Sequence, residues 1–179
     1  MNNVVSVTDD ERLCTICILL VRENLTMELK YTKFQIALET IGLLLLVGMI
    51  ILIYTRWNQI PQQIPMHYNA IGEIDNWGSK EDILFLPVVS ILLYAFLTAL
   101  SFFPQIQNIP ILITDENKES VYHNIKNLYI FLKIEIVMLL FLFVYYITIA
   151  QPLPIAVIPI FIIILLGTSI FFIVRIIRS

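Results

Sequence analysis

Residues 35–54 read QIALETIGLLLLVGMIILIY, and Glu39 is the only charged side chain among them. A helix of about 20 residues crosses the hydrocarbon of a bilayer, and this run has that length. Three further runs share its character: LFLPVVSILLYAFLTALSFF at 84–103, LYIFLKIEIVMLLFLFVYYITIA at 128–150 and LPIAVIPIFIIILLGTSIFFIV at 153–174. Backbone N–H and C=O groups cannot stay unpaired in lipid, so such runs form helices. The composition of the 179 residues agrees, with 59% hydrophobic and 14% charged residues and a mean hydropathy of +0.86. Soluble domains run nearer about 45–50% apolar and about 25% charged. A large soluble core would also bury such runs, but too little polar chain remains here to cover four of them. The sequence therefore predicts an all-α integral membrane protein, with four transmembrane helices and a short folded extracellular loop between the first and second.

Lys and Arg set the expected orientation, without weight for the acidic residues. With the amino terminus inside, the inner side holds Lys30, Lys33, Lys118, Lys126, Arg175 and Arg178, and the outer side only Arg56 and Lys80. Both termini are then cytoplasmic, and in a bacterial cell the loop at 57–80 lies outside the plasma membrane. The net charge of −3 and the lack of a basic run speak against a nucleic-acid partner. Cys14 and Cys17 form CTIC without the second pair or the scaffold that a redox or metal motif needs, and read as small apolar fillers. No cofactor is expected.

Residues 1–26 are expected to stand apart from the membrane domain at 27–179. LCTICILLV (13–21) is too short to span, and the acidic start is unlike a signal peptide. The segment reads as an interfacial helix or as an over-extended gene start ahead of Met27, with a slight preference for the second.

Charges inside lipid are costly and usually pair or face a polar interior. Glu39 in the first run and Lys133 in the third fall at similar depth with opposite sign, which predicts a structural interhelical pair; Glu135 lies beside them. The alternative for Lys133 is snorkelling to the headgroups. In the inner loop at 104–127, Thr114 is a candidate N-cap with Asp115 and Glu116 in the first turn, so the third helix is expected to begin near Asp115. His123 is then a surface helix residue. The short outer turn at 151–154 predicts a tight antiparallel hairpin of the third and fourth helices, and Pro159 is expected to kink the fourth.

The outer loop, WNQIPQQIPMHYNAIGEIDNWGSK at 57–80, interrupts all this oil. Pro61 and Pro65 push Ile60 and Ile64 into extended geometry. Alternation then predicts a short strand with Ile64, Met66 and Tyr68 on an apolar face and Pro65, His67 and Asn69 on the other. Asn69 and Gly72 carry turn chemistry, as does Asp75–Gly78. Ser79 suits an N-cap with Glu81 and Asp82 behind it, and Trp57 and Trp77 suit an interfacial aromatic belt. A docked, folded loop is expected. His67 reads first as a structural histidine bonded to backbone or Asp75, and second as a ligand-recognition group. Only Glu73 and Asp75 are at hand for a metal, so none is expected. Ser79, His67 and Asp75 have the residue types of a nucleophilic set without its spacing.

The pattern IPxxIPxHYNxxGxxDxWGSK resembles the bacterial membrane domain called domain of unknown function 1648, found in the front part of Sdp-type immunity proteins. Those proteins protect cells against a secreted peptide toxin. The resemblance picks out Pro61, Pro65, His67, Asn69, Gly72, Asp75, Trp77 and Lys80. A second stretch, NIPILITDENKESVY, is similar to the family through Asn108, Pro110, Thr114, Glu116, Asn117 and Tyr122. The resemblance implies a small non-enzymatic membrane protein whose outer loop recognises or sequesters an extracellular ligand such as a toxic peptide. The alternatives are an accessory subunit of a membrane transporter or signalling complex, with a membrane protein partner, and a membrane enzyme. Beyond the lipid bilayer, a peptide ligand or such a membrane protein is the expected partner.

Overall fold

The computed structural model describes residues 31–103, 107, 109 and 111–179. The expectations for residues 1–26, Asn108 and Pro110 fall outside them. Within the described residues, four helices are long and apolar enough to cross a membrane: α1 (Lys33–Arg56), α2 (Phe85–Phe102), α3 (Lys118–Thr148) and α4 (Val157–Ile177). The chain is a multi-pass membrane protein, with a small two-stranded sheet between α1 and α2.

α1 opens on a capping box. Thr32 Oγ1 accepts from the Gln35 N–H (3.2 Å), and Gln35 Oε1 accepts from the Thr32 N–H (3.0 Å). Its buried residues, Gln35, Gly42, Leu46, Met49 and Ile53, recur at the three-, four- and seven-residue steps of one helix face. The other faces leave Leu44, Ile51 and similar side chains exposed, where lipid solvates them. α2 buries Pro87, Ser90, Tyr94 and Ser101, again one stripe. α3 differs, because Lys133 and Glu135 are both buried although they lie on different sides of it. It is the hub against which α1, α2 and α4 pack. α4 buries only Phe172 and Ile176, and Thr168 ties it to α3 by donating to Glu135 Oε1 at 2.5 Å.

Several expected details change. α3 begins at Lys118 with Asn117 as its N-cap, not near Asp115. Thr114 closes a turn instead: its C=O accepts from the N–H groups of Asn117 (3.2 Å) and Lys118 (3.0 Å), and Asn117 Oδ1 accepts from the Thr114 N–H (2.8 Å). An Asn side chain that bonds backbone in this way outcompetes the hydroxyl cap. Glu119 is then the acidic residue of the first turn, and Asp115 and Glu116 precede the helix. His123 is half-buried, with Nδ1 3.3 Å from Asn127 Nδ2, so it is not a plain surface residue. Pro159 is the third residue of α4, where the missing N–H has no helical acceptor to lose, so it begins the helix rather than kinking it.

The segment between α1 and α2 is a hairpin. Strand β1 (Gln63–Tyr68) pairs antiparallel with β2 (Ile74–Ser79). The stretch expected to turn at Asp75–Gly78 is therefore strand, because the chain has already reversed at Asn69–Glu73. There Asn69 Oδ1 accepts from the N–H groups of Ile71 (3.1 Å) and Glu73 (2.9 Å), and the following chain returns along β1. The alternating apolar face is also broken. The register skips Met66 between Pro65 and His67, and Asp75 between Asn76 and Ile74, as bulges do. Ile64 and Pro65 are both buried, whereas Met66 is 44% exposed and lies across Gly78, where a Cβ would meet it.

Candidate functional site

The hairpin is fixed to the membrane helices at three places. Ile60, Ile64 and Ile83 join Met49, Ile53, Val144 and Ile147 in one apolar core. At the tip, Gly72 adopts φ +85° and its C=O accepts from the Leu153 N–H at 2.9 Å. A Cβ there would lie 2.3 Å from the Leu153 oxygen, so only glycine permits this approach. Tyr68 donates to the Gln151 carbonyl at 3.3 Å, and burial pushes its phenol up to about 12. At the base, Lys80 is buried, with Nζ 4.6 Å from the centre of the Trp57 ring, a cation–π contact. Ser79 N–H and Oγ both lie within hydrogen-bond distance of Asp82 Oδ2 (2.9 and 3.0 Å), ahead of the 3-10 turn that leads into α2.

On the exposed side, His67 Nδ1 lies 2.6 Å from Asp75 Oδ1. The bulges create this pair, since Asp75 is skipped in the register beside His67. Both side chains stay open, at 65% and 44% exposure. Asn69 Nδ2 also donates to Glu73 Oε2 at 3.1 Å. Of the other resemblance positions, Pro61 and Trp77 are exposed and Pro65 is buried. Beneath β1 a cavity of about 350 Å³ opens among Ile64, Met66, His67, Leu86, Phe143 and Ile158. A larger apolar groove, about 930 Å³, runs between the ends of α1 and α2 nearest the hairpin, lined by Ile50, Tyr54, Trp57, Leu84 and Val88. Among the described residues, no three His, Cys, Asp or Glu side chains gather as a metal site would require. Ser79 is engaged with Asp82, not with His67.

A second polar centre lies within the membrane bundle. Lys133 Nζ donates to Glu39 Oε1 (2.5 Å) and Thr98 Oγ1 (2.8 Å). Tyr94 donates to Glu39 Oε2 (2.5 Å), and its ring centre is 4.7 Å from the Lys133 ammonium. The lysine is fully buried, so it does not snorkel. Gly42 leaves room for the Tyr94 ring, which a Cβ would meet at 2.8 Å. Tyr94 and Thr98 were invisible as site residues in the sequence. Their one signal is that they sit four apart on the same face of α2. Gln35 and Asn127 form another such link, at 2.7 Å. Of the inner-loop residues, Tyr122 packs with Val121, Ile125 and Ile176, Asn117 shapes the turn before α3, and Thr114 and Glu116 are exposed. These residues are separate from the hairpin.

A family model described as Domain of unknown function (DUF1648) matches residues 44–91. An uncharacterized protein of Archaeoglobus fulgidus is 34% identical over 62 residues, covering 30% of this chain and 34% of that protein. The chain thus spans about a third of that relative. No solved structure matches. The inner-loop residues 108–122 lie beyond the family match. The similarity to DUF1648 thus runs from the middle of α1, through the hairpin and into α2.

Proposed function

We propose that the hairpin is an extracytoplasmic recognition surface for an apolar peptide, and that the protein acts by binding and not by catalysis. The observation that carries this reading is the mainly apolar cavity of about 350 Å³ under β1, bordered by His67, whose exposed imidazole pairs with Asp75. Concave apolar sites with a few convergent polar groups are the usual form of a binding pocket. Its neighbour groove at the outer ends of α1 and α2 extends the apolar surface. The Lys and Arg distribution supports placing the hairpin outside a bacterial plasma membrane, with cytoplasmic termini. A secreted toxic peptide fits this site in place and chemistry, as the resemblance to the front part of Sdp-type immunity proteins implies.

The test is peptide tolerance in cells carrying His67→Ala or Asp75→Ala. Both variants should insert and fold, because the pair is exposed, and both should lose protection and peptide capture. Folded variants with unchanged tolerance and capture would sink the proposal. A second reading, an accessory subunit of a transporter or signalling complex, is favoured by α4, which packs on α3 but leaves most of its apolar side chains exposed. Stable co-purification with a membrane partner, lost on changing the Asn117 turn, would support it.

A further inference from the structure

At the end of the bundle opposite the hairpin, α3 and α4 enclose a polar pocket of about 650 Å³, lined by Ser120, Asn124, Arg175, Arg178 and Ser179. Hydroxyl and amide groups knit one wall: Ser120 Oγ and Asn124 Nδ2 donate to Ser179 Oγ (3.0 and 3.1 Å), which donates to the Arg175 carbonyl (2.8 Å). Asn124 is 3% exposed, and its Oδ1 has no hydrogen-bond partner among the described residues. Neither guanidinium forms an ion pair with another described residue. Arg175 instead leans toward the Phe171 ring, 5.8 Å from its centre. Phe171 and Val174 border the pocket, and beyond them the exposed apolar face of α4 continues through Ile170 and Ile163.

We propose that this pocket binds a phosphate group, and that a phospholipid headgroup supplies it. Two guanidiniums offer paired N–H donors in the geometry that phosphate oxygens accept. The C-terminal end of α4 contributes roughly half a negative charge, which two full positive charges outweigh. Asn124 adds an acceptor still lacking a donor, suited to the hydroxyl or ammonium of a headgroup. The acyl chains would lie along the apolar face of α4. Free phosphate shares the headgroup chemistry without the chains. This site is independent of the peptide reading of the hairpin.

The experiment is thermal unfolding of the full chain in a neutral detergent, with phosphatidylglycerol, inorganic phosphate or diacylglycerol added separately. Phosphatidylglycerol should raise the midpoint saturably and diacylglycerol should not, and R175Q/R178Q should abolish the rise. An equal rise with inorganic phosphate, also lost in R175Q/R178Q, would support the phosphate site but overturn the lipid as its source. No rise with either, or a rise kept in the variant, overturns the proposal. If the double variant fails to fold, R178Q alone should weaken the lipid adducts retained in native mass spectrometry. Adducts of unchanged strength would count against the site.

Discussion

Lys133 holds its charge inside the bundle because three groups surround its ammonium: a carboxylate, a hydroxyl and an aromatic face. Removing one member of a buried ion pair leaves the other uncompensated, at about 3–5 kcal/mol. Lys133→Met should therefore destabilise the protein by about that much, and adding Glu39→Gln should recover most of the loss. Detergent unfolding of both variants checks this, and a double variant no better than the single one would show that the pair is not coupled. Tyr68 carries a pH effect outside the membrane. Its folded value, about 12, lies above the ordinary 10.0, so the folded chain holds that proton more tightly than the unfolded one. Its contribution is complete below pH 10 and is lost as pH rises toward 12. Unfolding midpoints across this window should fall in the native chain and fall less in Tyr68→Phe.

The hairpin is too small to stand alone, since two strands are at best marginally stable in water. It persists because its base enters the core with Ile60 and Ile64 and its tip meets Leu153 through Gly72. Gly72→Ala should strain the turn and drive a Cβ onto the Leu153 carbonyl, at about 1–3 kcal/mol or more. Hydrogen exchange should then quicken across β1 and β2 while α1 and α3 keep their protection. Uniform loss of protection would mean that the tip contact supports the whole bundle. Much of this element was legible beforehand. Ile60 is extended before Pro61 (ψ 128°), and Asn69 and Gly72 form the turn. The return strand was not, because Asp75, Asn76 and Gly78 have poor strand propensity, and pairing with β1 overrides it.

Across the whole molecule, burial separates a hub from a periphery. Val144 is fully buried, whereas Ile163 on α4 is 69% exposed. Val144→Ala should cost roughly 1–2 kcal/mol through lost packing, and Ile163→Ala should stay within about 0.5 kcal/mol. Equal effects in unfolding measurements would contradict α3 as the hub.

The sequence by itself determined that the chain is helical and lives in a bilayer. That follows from length and hydropathy, which bind every residue of a run without regard to its neighbours. It also located the outer loop, whose prolines and turn residues act within a few positions of themselves. Its charges named the contact of α1 with α3 and its short turn that of α3 with α4, but the tertiary structure decided the rest of the packing, because helices apolar on every side carry no stripe to name their partners. The facing of Lys133 toward Tyr94 and Thr98 and the seat of Gly72 on Leu153 join residues distant in sequence, and the bulges choose Asp75 over backbone as the partner expected for His67. Such contacts depend on packing and register, which local pattern does not encode.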